Sequence, residues 1–183
     1  MKIPGAQVRI RSCIFAGVAL GATDAILGDT AMDDADTTVI GAADLAGQPD
    51  MPRNLTVKGN DANVSGDVVI EGTDAEGVFL TETIALNAAN TVVGAKAFAT
   101  VTSVTLPKYD TADTERVRIG TGAKLGLPVR LSRNTVIAAF LDDAREANAP
   151  TVAVSADTIA ANTVTLNSAL DGADVIVDLY ETE

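Results

Sequence analysis

The chain contains no histidine, no tryptophan and one cysteine, Cys13, and among its 183 residues only two are Tyr and four Phe. Without His, Ser-His-Asp and Cys-His catalysis, His-ligated metals and the commonest general base are all excluded together. One Cys allows neither an intramolecular disulfide nor a cysteine-based zinc cluster. Within Ser12-Cys13-Ile14-Phe15 it reads as a small buried hydrophobe. With few aromatics, the core falls to Val, Ile, Leu and Ala, and the many Thr residues point to strands. The aromatic platforms that carbohydrate sites usually need are equally scarce.

Positive charge is short as well. Thirteen Lys and Arg against 25 Asp and Glu give a formal net charge of −12, a field that repels nucleic acid and anionic membranes. Neither is expected as a partner. Long apolar runs are missing too. Lys2, Arg9 and Arg11 followed by Cys13 to Ala22 imitate a secretory signal, but the run is too short to span a bilayer. With Met1 retained, cleavage is not expected, and a strand from Val8 to Phe15, continuing after Ala16-Gly17 into Val18 to Ala22, is the better reading.

At 47% hydrophobic and 21% charged, the chain suits one or two small globular domains with an adequate core. Charge is unevenly spread. Asp29, Asp33, Asp34, Asp36, Asp44 and Asp50 occupy the stretch Asp29–Asp50 without one Lys or Arg, whereas Arg116, Arg118, Lys124, Arg130 and Arg133 cluster later. The acidic stretch reads as a solvated loop; a calcium loop or a salt-bridge patch facing a basic partner stays open, although the spacing lacks the Gly and terminal Glu of an EF-hand.

Pro49-Asp50-Met51-Pro52 breaks regular structure, so residues 1–50 are read as an N-terminal strand segment and acidic loop, an arm or shell-contacting region. Residues 51–183 are read as a β-sandwich or β-barrel domain. Arg53 to Gly59 alternates apolar and polar, the period of a half-buried strand. Gly66 to Gly72 and Val78 to Leu86, joined by Thr73-Asp74-Ala75-Glu76-Gly77, predict a hairpin. Strand-like runs follow at Thr91 to Val93, Val101 to Leu106, Glu115 to Ile119, Pro128 to Leu131, Thr151 to Val154, Thr163 to Leu166 and Val175 to Tyr180, the last two as a closing hairpin. Val136 to Ala147 reads equally as a helix capped by Asn134 or Thr135 and, in its first half, as a buried strand. The fold class is therefore all-β, built from short antiparallel strands with at most one short helix.

Chemical motifs are weak. Gly120, Gly122 and Gly126 with Lys124 superficially resemble a phosphate loop, but the spacing fits neither the Walker nor the dinucleotide pattern, and a turn between strands is expected. The carboxylate pairs Asp142 with Asp143 and Glu71 with Asp74 carry no separation that sequence can fix. Asn54-Leu55-Thr56 and Asn63-Val64-Ser65 match the glycosylation acceptor pattern. No catalytic, cofactor-binding or metal site is assigned, no cofactor is called for, and an enzyme is not expected.

The run Arg53-Asn54-Leu55-Thr56-Val57 with Gly66 to Asp74, Thr81 to Asn87, Lys96-Ala97-Phe98, Val101 to Pro107 and Lys124-Leu125-Gly126-Leu127-Pro128 resembles a tailed-phage virion structural protein family. The resemblance implies a β-rich particle protein without an active site, with capsid decoration or cement as the role chosen within that class. It further implies the major capsid protein and copies of the chain itself as partners, a trimer being one arrangement, on the capsid surface of a virion assembled in the host cytoplasm. A tail or head-to-tail junction protein is the alternative, and a carbohydrate-binding β domain a third.

Overall fold

The structure, a computed structural model, describes residues 9–109 and 114–181, with residue 181 described by its backbone alone; Lys2 and Val8 lie outside the described residues. Fourteen strands are present among these: β1 (Arg9–Phe15), β2 (Leu27–Ala31), β3 (Thr38–Gly41), β4 (Arg53–Gly59), β5 (Asp67–Thr73), β6 (Phe79–Ala85), β7 (Thr91–Phe98), β8 (Thr100–Leu106), β9 (Arg116–Gly126), β10 (Val136–Leu141), β11 (Ala144–Arg145), β12 (Thr151–Ala153), β13 (Thr163–Thr165) and β14 (Val175–Glu181). Two three-residue 3₁₀ turns, Ala42–Asp44 and Ile159–Ala161, supply the helical content of the described residues. The protein is all-β.

The strands form three antiparallel sheets. A terminal sheet runs β1-β14-β10-β11, a central sheet runs β12-β13-β9-β4-β7 with β2 also on β9, and an outer sheet runs β3-β8-β5-β6. Two cores result. The inward residues of the outer sheet, such as Val68, Ile70 and Val104, pack on Leu55, Val57, Val117 and Ile119 of the central sheet. Cys13, Phe15, Val175, Val177 and Leu179 of the terminal sheet pack on Leu125 and Val164 at the other end of the central one. Each fully buried Val, Leu or Ile contributes about 1.5–3 kcal/mol of transfer free energy. Strand β9 thus serves both cores, through Val117 and Ile119 at one end and Leu125 at the other.

The hairpin of β5 and β6 forms as its sequence predicts. Asp74, 6% exposed, accepts hydrogen bonds from the Glu76 and Val78 amides at 2.9 and 3.0 Å, and Gly77 takes a φ of 77°. Several other expectations are corrected. Of the two readings of Val136 to Ala147 the strand forms and the helix does not: β10 and β11 make a hairpin that turns through Asp142 and Asp143 at φ 51° and 59°. Two consecutive left-handed residues match the twist of the flanking strands, and Asp tolerates that conformation. Gly120, Gly122 and Gly126 lie inside β9 rather than in a turn. They are small because the chain is crowded there: a Cβ on Gly120 would sit 1.8 Å from the Ala22 carbonyl oxygen.

Residues 18–22 and 128–131 form no strand; Thr121 instead donates its amide to the Ala22 carbonyl at 3.0 Å. The closing hairpin is absent, since β13 pairs with β12 and β9 whereas β14 pairs with β1 and β10. Leu166 and Leu170 anchor the intervening segment in the second core. The acidic stretch is not one loop. Strand β2 runs into it from Leu27 and β3 lies within it, with Met32 and Ile40 buried between its aspartates. Residues 9–50 contribute a strand to each of the three sheets, β1 on β14, β2 on β9 and β3 on β8.

Candidate functional site

The most unusual side chain is a buried cation. Strand β4 bulges both its neighbours at one point: Arg53 pairs with Leu125 and Leu55 with Thr121, leaving residues 122–124 of β9 opposite Asn54. On the other side Asn54 pairs with Ala97 and Thr56 with Val93, so residues 94–96 of β7 bulge as well. Bulges strip backbone groups of ladder partners, and side chains replace them here. The Asn54 amide donates to the Gly94 carbonyl at 3.3 Å and accepts the Lys124 amide at 2.9 Å. Glu82 of β6 accepts the Ala95 amide at 2.6 Å.

Arg53, 1% exposed, completes the arrangement. Its Nε and one terminal nitrogen donate to the Gly122 carbonyl at 2.8 and 2.5 Å, and both terminal nitrogens reach the Ala19 carbonyl at 3.2 Å. Asp50, 41% exposed, supplies the counter-charge at 3.1 Å. The guanidinium fork is thereby consumed by the joint between the two cores.

The other residues singled out in the sequence are dispersed. Asp142 and Asp143 cap a hairpin tip, while Glu71 accepts the Ser103 hydroxyl at 2.8 Å in the outer sheet and Asp74 holds a turn. Lys124 donates to the Gly94 carbonyl at 2.8 Å, so the glycine-rich run presents no lysine to a phosphate. Asn54 is fully buried and closed to a glycan, whereas Asn63 is exposed. Part of the acidic stretch meets part of the basic cluster: Asp29 takes Arg118 at 2.9 Å and Arg116 at 3.8 Å. Asp33 accepts the Ala35 and Asp36 amides, which hold its carboxyl below the usual range. Among the described residues no three carboxylate or Cys side chains gather as a metal site, and no helix is long and apolar enough to cross a membrane.

A surface rather than a cleft stands out. In the terminal sheet Cys13, Phe15, Val177 and Leu179 turn inward, so alternation puts Ile10, Ser12 and Ile14 of β1 outward with Ile176, Asp178 and Tyr180 of β14. The register sets Ile14 beside Ile176 and Ile176 beside Phe140 of β10, a row of three apolar side chains, with Ile10 beside Tyr180 further along. Between them the Ser12 hydroxyl donates to Asp178 at 2.6 Å. Ile10 and Ile14 are 71% and 68% exposed, and β1 is the sheet's edge. Proteins commonly blunt such edges with Pro, a bulge or inward charge; β1 has seven residues in unbroken register, with Arg9 and Arg11 as its only charges. Period-two patterning marked the strand, but only its pairing with β14 showed which face stays open.

The fold defines an all-β protein of three antiparallel sheets around two cores, with an apolar outer face on the sheet that joins β1 to β14. No family model matches the chain, and neither a curated protein nor a solved structure matches it.

Proposed function

We propose that this chain is a non-enzymatic structural protein of a tailed-phage virion, acting in capsid decoration. The observation that carries the reading is the outer face of the terminal sheet, where β1, the edge strand among the described residues, presents Ile14 in a row with Ile176 and Phe140 and Ile10 beside Tyr180. An exposed apolar face on an open edge is what a subunit buries against a neighbour. The major capsid protein and further copies of the chain are the occupants that the family resemblance implies. The two buried cores and the internally satisfied Arg53 joint suit a rigid module added many times to a shell.

Quantitative mass spectrometry of purified particles tests it. A copy number comparable with that of the shell subunit supports decoration. A copy number of one small ring moves the protein to the tail or the head-to-tail junction, and absence from particles refutes a virion role. Replacement of Ile10 and Ile14 by Ser should abolish particle binding while leaving the monomer folded. Specific retention on a glycan array would favour the carbohydrate-binding alternative.

A further inference from the structure

The hydrogen-bond phase of the terminal sheet decides which main-chain groups of β1 stay open. Asp142 donates its amide to the Asp174 carbonyl and Tyr180 donates its amide to the Thr135 carbonyl, so the even-numbered residues of β14 bond towards β10. Bonding alternates along an antiparallel strand. Val175, Val177 and Leu179 therefore bond towards β1, where the register sets them opposite Phe15, Cys13 and Arg11. The Val18 amide, which takes the Ala173 carbonyl just past the strand, keeps the same phase. Left over are the N–H and C=O groups of Ile10, Ser12 and Ile14, which point away from the sheet. Among the described residues no strand or loop backbone pairs with that edge.

The same three residues carry the outward side chains, and their order is symmetric about Ser12: Ile, Ser, Ile at alternate positions. An antiparallel copy of β1 related by a two-fold axis at Ser12 sets Ser12 opposite Ser12 and, on either side of it, Ile10 opposite Ile14. Each such pair exchanges both main-chain bonds, about six in all. Sliding the copy by two residues either way loses one of the pairs, and in one direction sets Arg11 opposite Arg11, a like-charge pair that opposes association. In the symmetric register Arg9 and Arg11 stand opposite Phe15 and Cys13 instead. The row of Ile14, Ile176 and Phe140 then gains the second copy's Ile10 and, beyond it, that copy's Tyr180. In the middle row Ser12 already donates to Asp178 at 2.6 Å. The two Asp178 carboxylates stand three strand spacings apart, about 14 Å, which is more than a Debye length at physiological salt.

We propose that β1 pairs with β1 of a second copy across a two-fold axis at Ser12, joining the terminal sheets of two copies into one continuous sheet. The inference rests on the reading of this face as an assembly surface and names one of its contacts. An edge guarded by neither Pro, bulge nor inward carboxylate becomes interior in the pair. Ile10 and Ile14 of both copies leave water together. Such a contact is isologous and therefore closed. The joined sheet ends on both sides at β11, a strand of two residues and too short to template further growth.

Sedimentation velocity on the full chain from about 1 to about 100 µM tests the contact, with Ile10→Lys and Ile14→Glu as variants. Both side chains are exposed, so neither change enters a core, and circular dichroism confirms the fold. Wild type should dimerise. Each variant alone sets a charge against isoleucine on both sides of the axis and should weaken the dimer about tenfold or more. An equimolar mixture sets the new ammonium against the new carboxylate and keeps one Ile10–Ile14 pair, so it should recover dimerisation. Hydrogen exchange of the wild type needs no variant: the Ile10, Ser12 and Ile14 amides should gain protection of about tenfold or more between the two concentrations, while the Arg11 and Cys13 amides, bonded to β14, stay protected throughout. A wild type still monomeric at about 100 µM, association that continues past two copies, a mixture no tighter than either variant alone, or edge amides whose exchange ignores concentration overturns the proposal. If the chain is monomeric yet present on particles at high copy number, this contact fails and the virion reading stands. If it dimerises as described and is absent from particles, the virion reading fails and the contact stands.

Discussion

Replacing Arg53 by Met should destabilise the protein by about 2–3 kcal/mol, and the size follows from which atoms lose partners. The Gly122 carbonyl, at a buried residue in the β9 bulge, loses both of its guanidinium donors and has no route to water. One stranded buried acceptor costs about 1–3 kcal/mol. The Ala19 carbonyl belongs to an exposed residue and Asp50 is 41% exposed, so both rehydrate. Met keeps most of the stem volume, and removing a buried charge recovers part of its desolvation cost. For a chain of this length such a loss lowers Tm by about 5–10 °C. Asp50→Ala, which removes only a partly solvated counter-charge, should cost less than about 1 kcal/mol. Urea denaturation of the wild type and both variants measures the ranking. If Arg53→Met lies within about 0.5 kcal/mol of wild type, the carbonyl account is wrong. If Asp50→Ala costs as much as Arg53→Met, the ion pair rather than the carbonyls holds the joint.

Three more outcomes are expected. Asn162, fully buried, accepts the Leu131 and Ser155 amides and donates to the Ser155 and Thr158 carbonyls; Asn162→Ala should therefore cost about 2–4 kcal/mol in urea titration. Gly120→Ala drives a Cβ onto the Ala22 and Thr23 backbone and should unfold the chain or cost more than about 3 kcal/mol, whereas Gly28→Ala, with open space around it, should stay within about 0.5 kcal/mol in the same thermal melts. The Glu146 carboxyl is held below the ordinary glutamate range, first by the Ser168 side chain and then by the Ser168 and Asn167 amides, with burial opposing them. A lowered carboxylate contributes stability that is whole above the unfolded value and is lost as pH falls through the folded one, so the Tm gap between wild type and Glu146→Gln should close in acid and open towards neutral pH.

Strand content was legible wherever the alternation of period two was clean: Arg53 to Gly59 and Val175 to Tyr180 form β4 and most of β14. Partnership was not legible, because it depends on contacts between distant residues. Nothing near Val175 says that Ile14, far earlier in the chain, will stand beside Ile176. The glycines of β9 misled for a related reason. Gly signals a turn when only neighbours in sequence are considered, yet here the missing Cβ answers Ala22, Asn54 and Ala97, which come from three other segments. Arg53 read as the polar start of an alternating strand, and its burial depends on bulges in two other strands. For Asp142-Asp143 a signal was present, since paired Asp residues between apolar runs can supply a left-handed turn, but the same run also satisfies helix propensity.

The connectivity bears on when an assembly surface can exist. The first core draws almost wholly on one contiguous stretch, Ile26 to Ile119, with Ala160 added. The second needs both ends of the described chain at once: Cys13 and Phe15 from β1, and Val175, Val177 and Leu179 from β14. Ser12 and Asp178, bonded across that pairing, are 166 positions apart. Closing so long a loop is costly in entropy and is favourable only once the intervening chain is already compact. The apolar outer face of the terminal sheet is defined by the same β1–β14 register, so it is presented only by a molecule that has brought both ends together. Strand β9 and the Arg53 joint then tie that sheet to the earlier core. On the virion reading proposed above, an apolar face that exists only after β1 and β14 have paired is a face that partly folded chains do not offer.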